Sequence, residues 1–173
     1  TTVSNTNHLD LDLVNGRRYF YQVSAVNATG EGTRSNEVSA IPMTVPGSPL
    51  NLKANPGDGL IILSWTLPYD NGGAPITGYR LYWSLIPNGS YEMVPVTSSS
   101  YVHTGLENGI TYYYKVSAVN QVGEGALSAA ITSAPVAKPL AIIDLNAART
   151  NGNIVLTWTD PNPSSADILG YRI

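Results

Sequence analysis

The chain repeats itself at a spacing of 93 residues, and what recurs is a set of core-forming positions rather than a surface pattern. Leu13, Gly16, Tyr19, Tyr21, Val23 and Ala25 return as Leu106, Gly109, Tyr112, Tyr114, Val116 and Ala118, and Trp65 returns as Trp158. Between residues 13 and 35, 14 of 23 positions are identical to their partner 93 residues on. A period of this length means a tandem array of similar units, each with its own core. The stretch is cut out of phase with that period: residues 1–45 read as the end of one unit, 46–137 as a whole unit and 138–173 as the start of a third.

Within the whole unit the apolar period is two, and turn residues bound every run, which is the pattern of short antiparallel strands. A first strand is expected near Leu50 to Ala54, followed by a Pro56-Gly57-Asp58-Gly59 turn. The next run sets Ile61, Leu63 and Trp65 on one face and Ile62, Ser64 and Thr66 on the other. After the breaker-rich loop Tyr69 to Pro75, a third strand places Tyr79, Leu81 and Trp83 on one side and Arg80 and Tyr82 opposite. A weaker strand at Tyr91 to Val96 contains Pro95, which lacks an N–H and so suits a sheet edge. Strands near Tyr101 to His103 and Thr111 to Asn120, a Gly123-Glu124-Gly125 turn and a last strand before Pro135 complete seven strands. Seven short strands in about 90 residues predict an all-β, two-sheet antiparallel sandwich.

Three quoted runs carry a family resemblance: LIILSWTLP with its lone Trp65, ITGYRLYW, and GLENGITYYYKVSAVNQVGEG. In these the middle unit resembles a fibronectin type III domain, an immunoglobulin-like seven-stranded sandwich. Residues 1–45 resemble the last strands of a preceding copy (LVNGRRYFYQVSAVNATGEG), and 138–173 the first strands of a following one (NIVLTWTDP, then ILGYRI). The style of these repeats is similar to that of domains in secreted and surface proteins of bacteria and archaea. The resemblance implies a core built on Trp65, Trp158, Tyr19, Tyr112, Leu13, Leu106 and Tyr79. It also implies a tyrosine corner, in which the Tyr112 hydroxyl bonds back to the main chain. Asn27 and Asn120 precede the Gly-x-Gly turns, where an Asn side chain can bond its own loop.

Composition narrows the function. Charged residues make up 12% of the chain while Ser, Thr and Asn supply 46 residues, so the solvated face is mostly neutral and hydrogen-bonding, as in secreted proteins. A net charge of −3 with nine Lys and Arg provides no basic stripe for a phosphate backbone, and nucleic acid is not an expected partner. No apolar run reaches the roughly 18 to 20 residues that span a bilayer. No membrane insertion is expected within this stretch, and the N-terminus carries no signal-peptide pattern. The absence of cysteine excludes disulfides and thiolate metal sites.

The residues offer little for chemistry. His8 and His103 occupy unrelated repeat positions, because 93 residues beyond His8 stands Tyr101, and neither has a catalytic neighbourhood in sequence. There is no nucleophile elbow, and Asp70-Asn71-Gly72-Gly73 is a turn between strands rather than a phosphate loop. Asp10 and Asp12 alternate with leucines on a polar strand face, which suits a hard cation but is explained more simply by exposed acids. No catalytic residue, cofactor or metal is therefore expected, and the chain is read as a non-enzyme.

Contacts with other molecules are expected at three places. The loop holding Tyr69, Asp70 and Asn71 and the turn holding Gln121 and Glu124 should emerge at the same end of the sandwich, where such folds present recognition loops. No Arg-Gly-Asp triplet is present, so the family's best-known integrin signal is absent. Tyr82 and Tyr113 should face outward and can stack on sugar rings. Asn27 and Asn88 begin Asn-x-Ser/Thr triplets, acceptors for glycosylation where the host modifies them.

Matching Tyr171 to Tyr79 aligns Ile173 with Leu81, while Thr1 aligns with Val94, so the terminal pieces are complementary parts of one unit. Two readings stand, a part of a longer array or neighbouring copies that complete each other, and the first is simpler. The expected function is an extracellular or cell-surface structural and adhesive array, a semi-rigid spacer, stalk or filament component whose linkers are stiffened by Pro42 to Pro49 and Pro135 to Pro139. Each unit should add about 30 to 40 Å. Its partners would be other proteins, neighbouring copies or glycans. The alternatives are an accessory spacer of a secreted polysaccharide-degrading enzyme and a weak carbohydrate-binding module.

Overall fold

A computed structural model describes residues 2–87, 89–161 and 167–173. Every regular element in them is a strand, and every pairing between strands is antiparallel. In chain order these are β1 (Tyr19–Tyr21), β2 (Val26–Asn27), β3 (Gly30–Glu31), β4 (Val38–Ala40), β5 (Leu50–Gly57), β6 (Leu60–Thr66) and β7 (Ile76–Ser84). They are followed by β8 (Glu92–Val96), β9 (Ser100–Thr104), β10 (Tyr112–Asn120), β11 (Ile131–Ser133), β12 (Asn146–Thr150) and β13 (Asn153–Thr157).

The middle repeat contributes a three-stranded sheet, β5-β6-β9, and a four-stranded sheet, β11-β10-β7-β8. Alternation decides what lies between them. On β6, Ile61, Leu63 and Trp65 are buried, whereas Ile62 between them is 44% exposed. Tyr79 and Leu81 of β7, Val96 of β8 and Tyr112, Tyr114, Val116 and Ala118 of β10 close the core from the other side. Trp65 meets Tyr79 edge to face across the sandwich, with ring centroids 5.4 Å apart. Such a pair adds about 0.5 to 1.5 kcal/mol beyond its area burial. β8 is an edge strand and Pro95 lies in it, paired with Arg80 of β7, so its missing N–H removes no interior ladder bond.

One boundary differs from the sequence reading. β5 continues past Ala54 through Pro56 and Gly57, which pair with Ile61 and Leu60. The turn is therefore the two residues Asp58-Gly59 rather than four. β5 is an edge strand, so it tolerates a proline, and Gly59 at φ 67° supplies the left-handed residue a tight hairpin needs. The stretch around Asp10 and Asp12 is not a strand: Asp12 sits at φ 58°, and Asp10 accepts a hydrogen bond from the Tyr21 hydroxyl at 3.0 Å.

The flanking pieces reproduce the middle repeat in register. Tyr19 pairs with Ala40 as Tyr112 pairs with Ser133, and Ala147 pairs with Leu156 as Ala54 pairs with Leu63. Trp158 packs edge to face on Tyr171 at 5.1 Å, the counterpart of Trp65 on Tyr79. In both copies a backbone N–H five residues upstream donates to the tyrosine-corner hydroxyl, Val14 to Tyr19 at 2.9 Å and Glu107 to Tyr112 at 3.1 Å. The hydroxyl bonds back to the main chain, with its oxygen as the acceptor. Leu13, Tyr19 and Trp158 are half-buried, whereas Leu106, Tyr112, Tyr79 and Trp65 of the middle repeat are buried.

At the far side of the core His103 sits among Trp83, Tyr101, Tyr112 and Tyr114, with its Nδ1 3.0 Å from the Tyr114 hydroxyl. Burial pushes the Tyr114 phenol up and holds the imidazole below its ordinary value of 6.5, against an opposing pull from Glu92.

Trp65→Ala removes the largest side chain between the sheets and should cost about 3 to 5 kcal/mol. The expected result in a denaturant titration followed by circular dichroism is loss of the cooperative transition of the middle repeat. For His103, a folded-state value below the unfolded one means that the unfolded chain binds the extra proton. Stability is then complete above pH 6.5 and is lost as pH falls from there towards the folded value. Melting temperatures recorded from pH 7 downward should decline in that window, and His103→Gln should flatten the decline.

Candidate functional site at the joint between repeats

The loop between β6 and β7 and the turn between β10 and β11 emerge at one end of the middle sandwich, and the chain entering from the first repeat runs between them. Thr44 N–H donates to Gly72 O and Gly47 N–H to Asp70 O, both at 2.9 Å. From the other side Ala126 N–H donates to Pro46 O at 3.4 Å. The Asn120 side chain, 4% exposed, joins the three segments. Its Nδ2 donates to Thr44 O at 2.8 Å and to Asn71 O at 2.9 Å, while its Oδ1 accepts from Val122 N–H and Gly123 N–H. All four bonds connect neutral groups, each contributing roughly 1 kcal/mol net, and a buried amide so satisfied carries no desolvation deficit.

Glycines permit this closeness. A methyl group on Gly72 would stand 2.1 Å from Thr44 O, one on Gly73 2.2 Å from Gly16 N, and one on Gly125 2.1 Å from Pro46 O. Gly72 and Gly73 also hold φ of 72° and 77°, a region where side-chain-bearing residues are strained. Short local bonds shape the loop itself: Gly72 N–H to Asp70 Oδ1 and Gly73 N–H to Asn71 Oδ1.

The residues expected to meet partners thus divide. Tyr69 is 99% exposed. Asp70 O accepts from Gly47 N–H of the linker and Asn71 O from Asn120 Nδ2, while Gln121 Nε2 lies 2.7 Å from the Met43 sulfur. Glu124 turns onto the outer face of the four-stranded sheet, where it forms an ion pair with Arg80 and accepts from Tyr82 OH at 2.6 Å and Ser117 Oγ at 2.5 Å. Tyr82 faces outward with its hydroxyl committed to that carboxylate. Tyr113 is half-buried beside Thr132 of β11. Asn27 spends its Oδ1 on the N–H and hydroxyl of Thr29, and Asn88 lies outside the described residues.

The Glu124 cluster escaped the sequence reading, which placed that residue on a loop tip. Its signal was present in the repeat: Ser24 and Glu31 are the partners of Ser117 and Glu124 at the 93-residue spacing, and Ser24 Oγ likewise donates to Glu31. Burial pushes the Glu124 carboxyl up, but hydrogen bonds from Ser117, Tyr82 and Arg80 and the charge of Arg80 outweigh it and hold the group below its ordinary 4.5.

An open groove of about 340 Å³ beside β5 and β11 is lined by Ser48, Pro49, Leu50, Asn51, Leu52, Ser128, Ala129 and Ile131, none of them titratable. Among the described residues, no cluster of three or more His, Asp or Glu side chains could hold a metal ion. No helix there is long and apolar enough to cross a membrane.

Fold and joint together define a tandem immunoglobulin-like sandwich whose conspicuous built feature is the contact between its own repeats. Residues 47–134 match the family model of the fibronectin type III domain. The chain belongs to the fibronectin type III domain family. It is 37% identical over 67% of its length to a Kelch domain-containing protein of Sulfurisphaera tokodaii, of which it spans 15%. Identity is 32% over 69% of the chain to an amylopullulanase of Thermoanaerobacterium saccharolyticum, and 32% over 88% to human protein sidekick-1. The chain spans only 9% and 8% of those two proteins. Domains A168–A170 of titin share the fold at a TM-score of 0.53 and 23% identity, covering 68% of this chain and 40% of that one.

With the folded carboxyl of Glu124 held low, the cluster's stabilisation is present above pH 4.5 and disappears as pH falls through the folded value. Glu124→Gln should therefore destabilise the middle repeat at neutral pH and shrink the acid dependence below pH 4.5, as read from urea midpoints at pH 7 and pH 3.

Proposed function

We propose that the chain is a non-enzymatic spacer, a part of an extracellular array that sets a distance and an angle between other domains. The observation that carries this reading is the joint. The first repeat and the middle repeat meet through the hydrogen bond from Thr44 N–H to Gly72 O, a buried asparagine bridge to Thr44, and Gly72 and Gly73, which have no room for a side chain. Such a junction resists bending, whereas domains in tandem otherwise move relative to one another by default. The open groove without titratable lining and the neutral, Ser/Thr/Asn-rich surface support a mechanical rather than a chemical role, outside the cell.

Similarity to an amylopullulanase favours a second reading, in which the spacer serves a polysaccharide-degrading enzyme. Direct sugar binding is a weaker reading, because the hydroxyl of Tyr82 is already engaged by Glu124. Small-angle scattering of the 173-residue chain should yield an elongated particle whose maximum dimension is the same at low and high salt. A compact particle would overturn the spacer. Titration with maltooligosaccharides, followed through the Tyr82 and Tyr113 resonances, should leave both unmoved. Saturable shifts in them would replace the spacer with a binding module.

A further inference from the structure

We propose that Asn71-Gly72 is a self-modifying site, where Asp70 and Gly73 N–H convert the Asn71 amide into a succinimide whose hydrolysis to isoaspartate releases the joint. The backbone nitrogen after an asparagine can close a five-membered ring on that side chain's Cγ, and glycine leaves the approach unobstructed. Two things limit the reaction. The attacking N–H must give up its proton, and the attacked carbonyl must carry the negative charge that develops on its oxygen.

The chain holds five Asn-Gly pairs, at Asn15, Asn71, Asn88, Asn108 and Asn151, of which Asn88 lies outside the described residues. Asn15, Asn71 and Asn108 are all exposed, so access of water does not separate them. At Asn15 and Asn108 the nucleophile is tied to a main-chain carbonyl, which is no base: Gly16 N–H donates to Pro42 O and Gly109 N–H to Pro135 O, both at 2.9 Å. Asn108 Oδ1 accepts from Gly59 N–H at 3.0 Å, so a donor to the carbonyl is present there and the base is what is missing. At Asn71 both requirements are met. Gly72 N–H donates to Asp70 Oδ1 at 2.8 Å, which puts a proton acceptor on the nucleophile. Gly73 N–H donates to Asn71 Oδ1 at 2.9 Å, where the oxyanion forms. The contact with the preceding repeat holds this arrangement, because neither Gly72 nor Gly73 has space to spare beside its Cα.

In the step, the Gly72 nitrogen bonds to Asn71 Cγ while its proton passes to the Asp70 carboxylate. The Cγ–Nδ2 bond then breaks, and the amide group takes that proton and leaves as ammonia. Water opens the imide at Cγ to give aspartate, or at the main-chain carbonyl of residue 71 to give isoaspartate. The sum is amide plus water to acid plus ammonia. In isoaspartate the main chain runs through Cβ and Cγ. The carbonyl that accepts from Asn120 Nδ2 at 2.9 Å becomes a free carboxylate, and Gly72, whose O receives Thr44 N–H, is displaced by the added methylene. The joint thereby contains its own slow release, set by elapsed time rather than by a ligand.

The test is incubation of the 173-residue chain at mildly alkaline pH, with peptides mapped by mass spectrometry and electron-transfer fragmentation to separate isoaspartate from aspartate. Asn71 should convert about tenfold faster than Asn15 and Asn108. Asp70→Asn keeps an acceptor for Gly72 N–H and removes the base. It should slow Asn71 about tenfold, less than the roughly 100-fold of a well-matched base because a carboxylate is weak beside an amide N–H. Asn15 and Asn108 should keep their rates in that variant, and a loosened fold would speed conversion rather than slow it. The isoaspartyl form, separated by anion exchange through its added charge, should exchange the Thr44 amide hydrogen faster than the parent. Asn71→Asp adds the charge without rerouting the main chain and should keep Thr44 protected. Equal rates at the three asparagines, or an Asn71 rate indifferent to Asp70→Asn, would overturn the proposal, as would an isoaspartyl form whose Thr44 amide stays protected. The spacer reading rests separately on the scattering result, and an inert Asn71 would leave it intact.

Discussion

Trp65 wedged against Tyr79 between two sheets is the contact on which the remaining geometry depends. The indole is 4% exposed and its ring meets the phenol edge to face, which fixes the distance between β6 of one sheet and β7 of the other. With that distance set, every second residue on β6, β7 and β10 has an interior to fill, and the intervening residues are delivered to the surface. Ser117 shows the consequence. It lies between inward-facing Val116 and Ala118, so it points to the outer face, where Glu124 and its partners cover it completely. The outer cluster is thus a product of the core's register. The same pairing returns as Trp158 on Tyr171, 93 residues on for the tryptophan and 92 for the tyrosine, and the β5–β6 register returns in β12–β13 at the full 93.

Much of this was legible in the sequence because it is local. The period of two, the turn residues and the recurring tryptophan announce the strands and their inward faces. The hairpin at Asp58-Gly59 was harder, since Pro56-Gly57 resembles a turn, and only the edge position of β5 lets a proline and a glycine remain in the ladder. The joint was legible least. Asn120 reaches Thr44, 76 residues away, and Asn71, 49 away, and nothing in its neighbourhood distinguishes an asparagine that caps its own loop from one that also bridges to another repeat. Both roles use the same side chain, the oxygen locally and the nitrogen at a distance. Gly72 and Gly73 present the same difficulty: a glycine pair in a loop reads as freedom, yet here its purpose is to admit another backbone.

The loops that such folds usually offer to partners are, in this chain, largely engaged by the chain itself. Asp70 and Asn71 give their carbonyls to the linker and to Asn120, and Pro46 accepts from Ala126. Tyr69 remains bare, but a single exposed aromatic ring is ordinary on a protein surface. The end of the middle sandwich where such folds present recognition loops is also where the preceding repeat is seated.

The forces chosen for that seat follow from the composition. In a chain with 12% charged residues, Arg80–Glu124 is the ion pair found among the described residues, and it lies on the face of the middle sandwich rather than across the joint. What crosses the joint is amide to carbonyl hydrogen bonding and steric fit. Mobile ions screen exposed charges within about 10 Å at ordinary ionic strength, but they act far less on short neutral bonds or on the volume of a methyl group. A junction made of charges would stiffen and soften with the medium. One made of glycine contacts and a buried amide keeps its angle as the ionic medium changes, which is the property that the proposed spacer role requires.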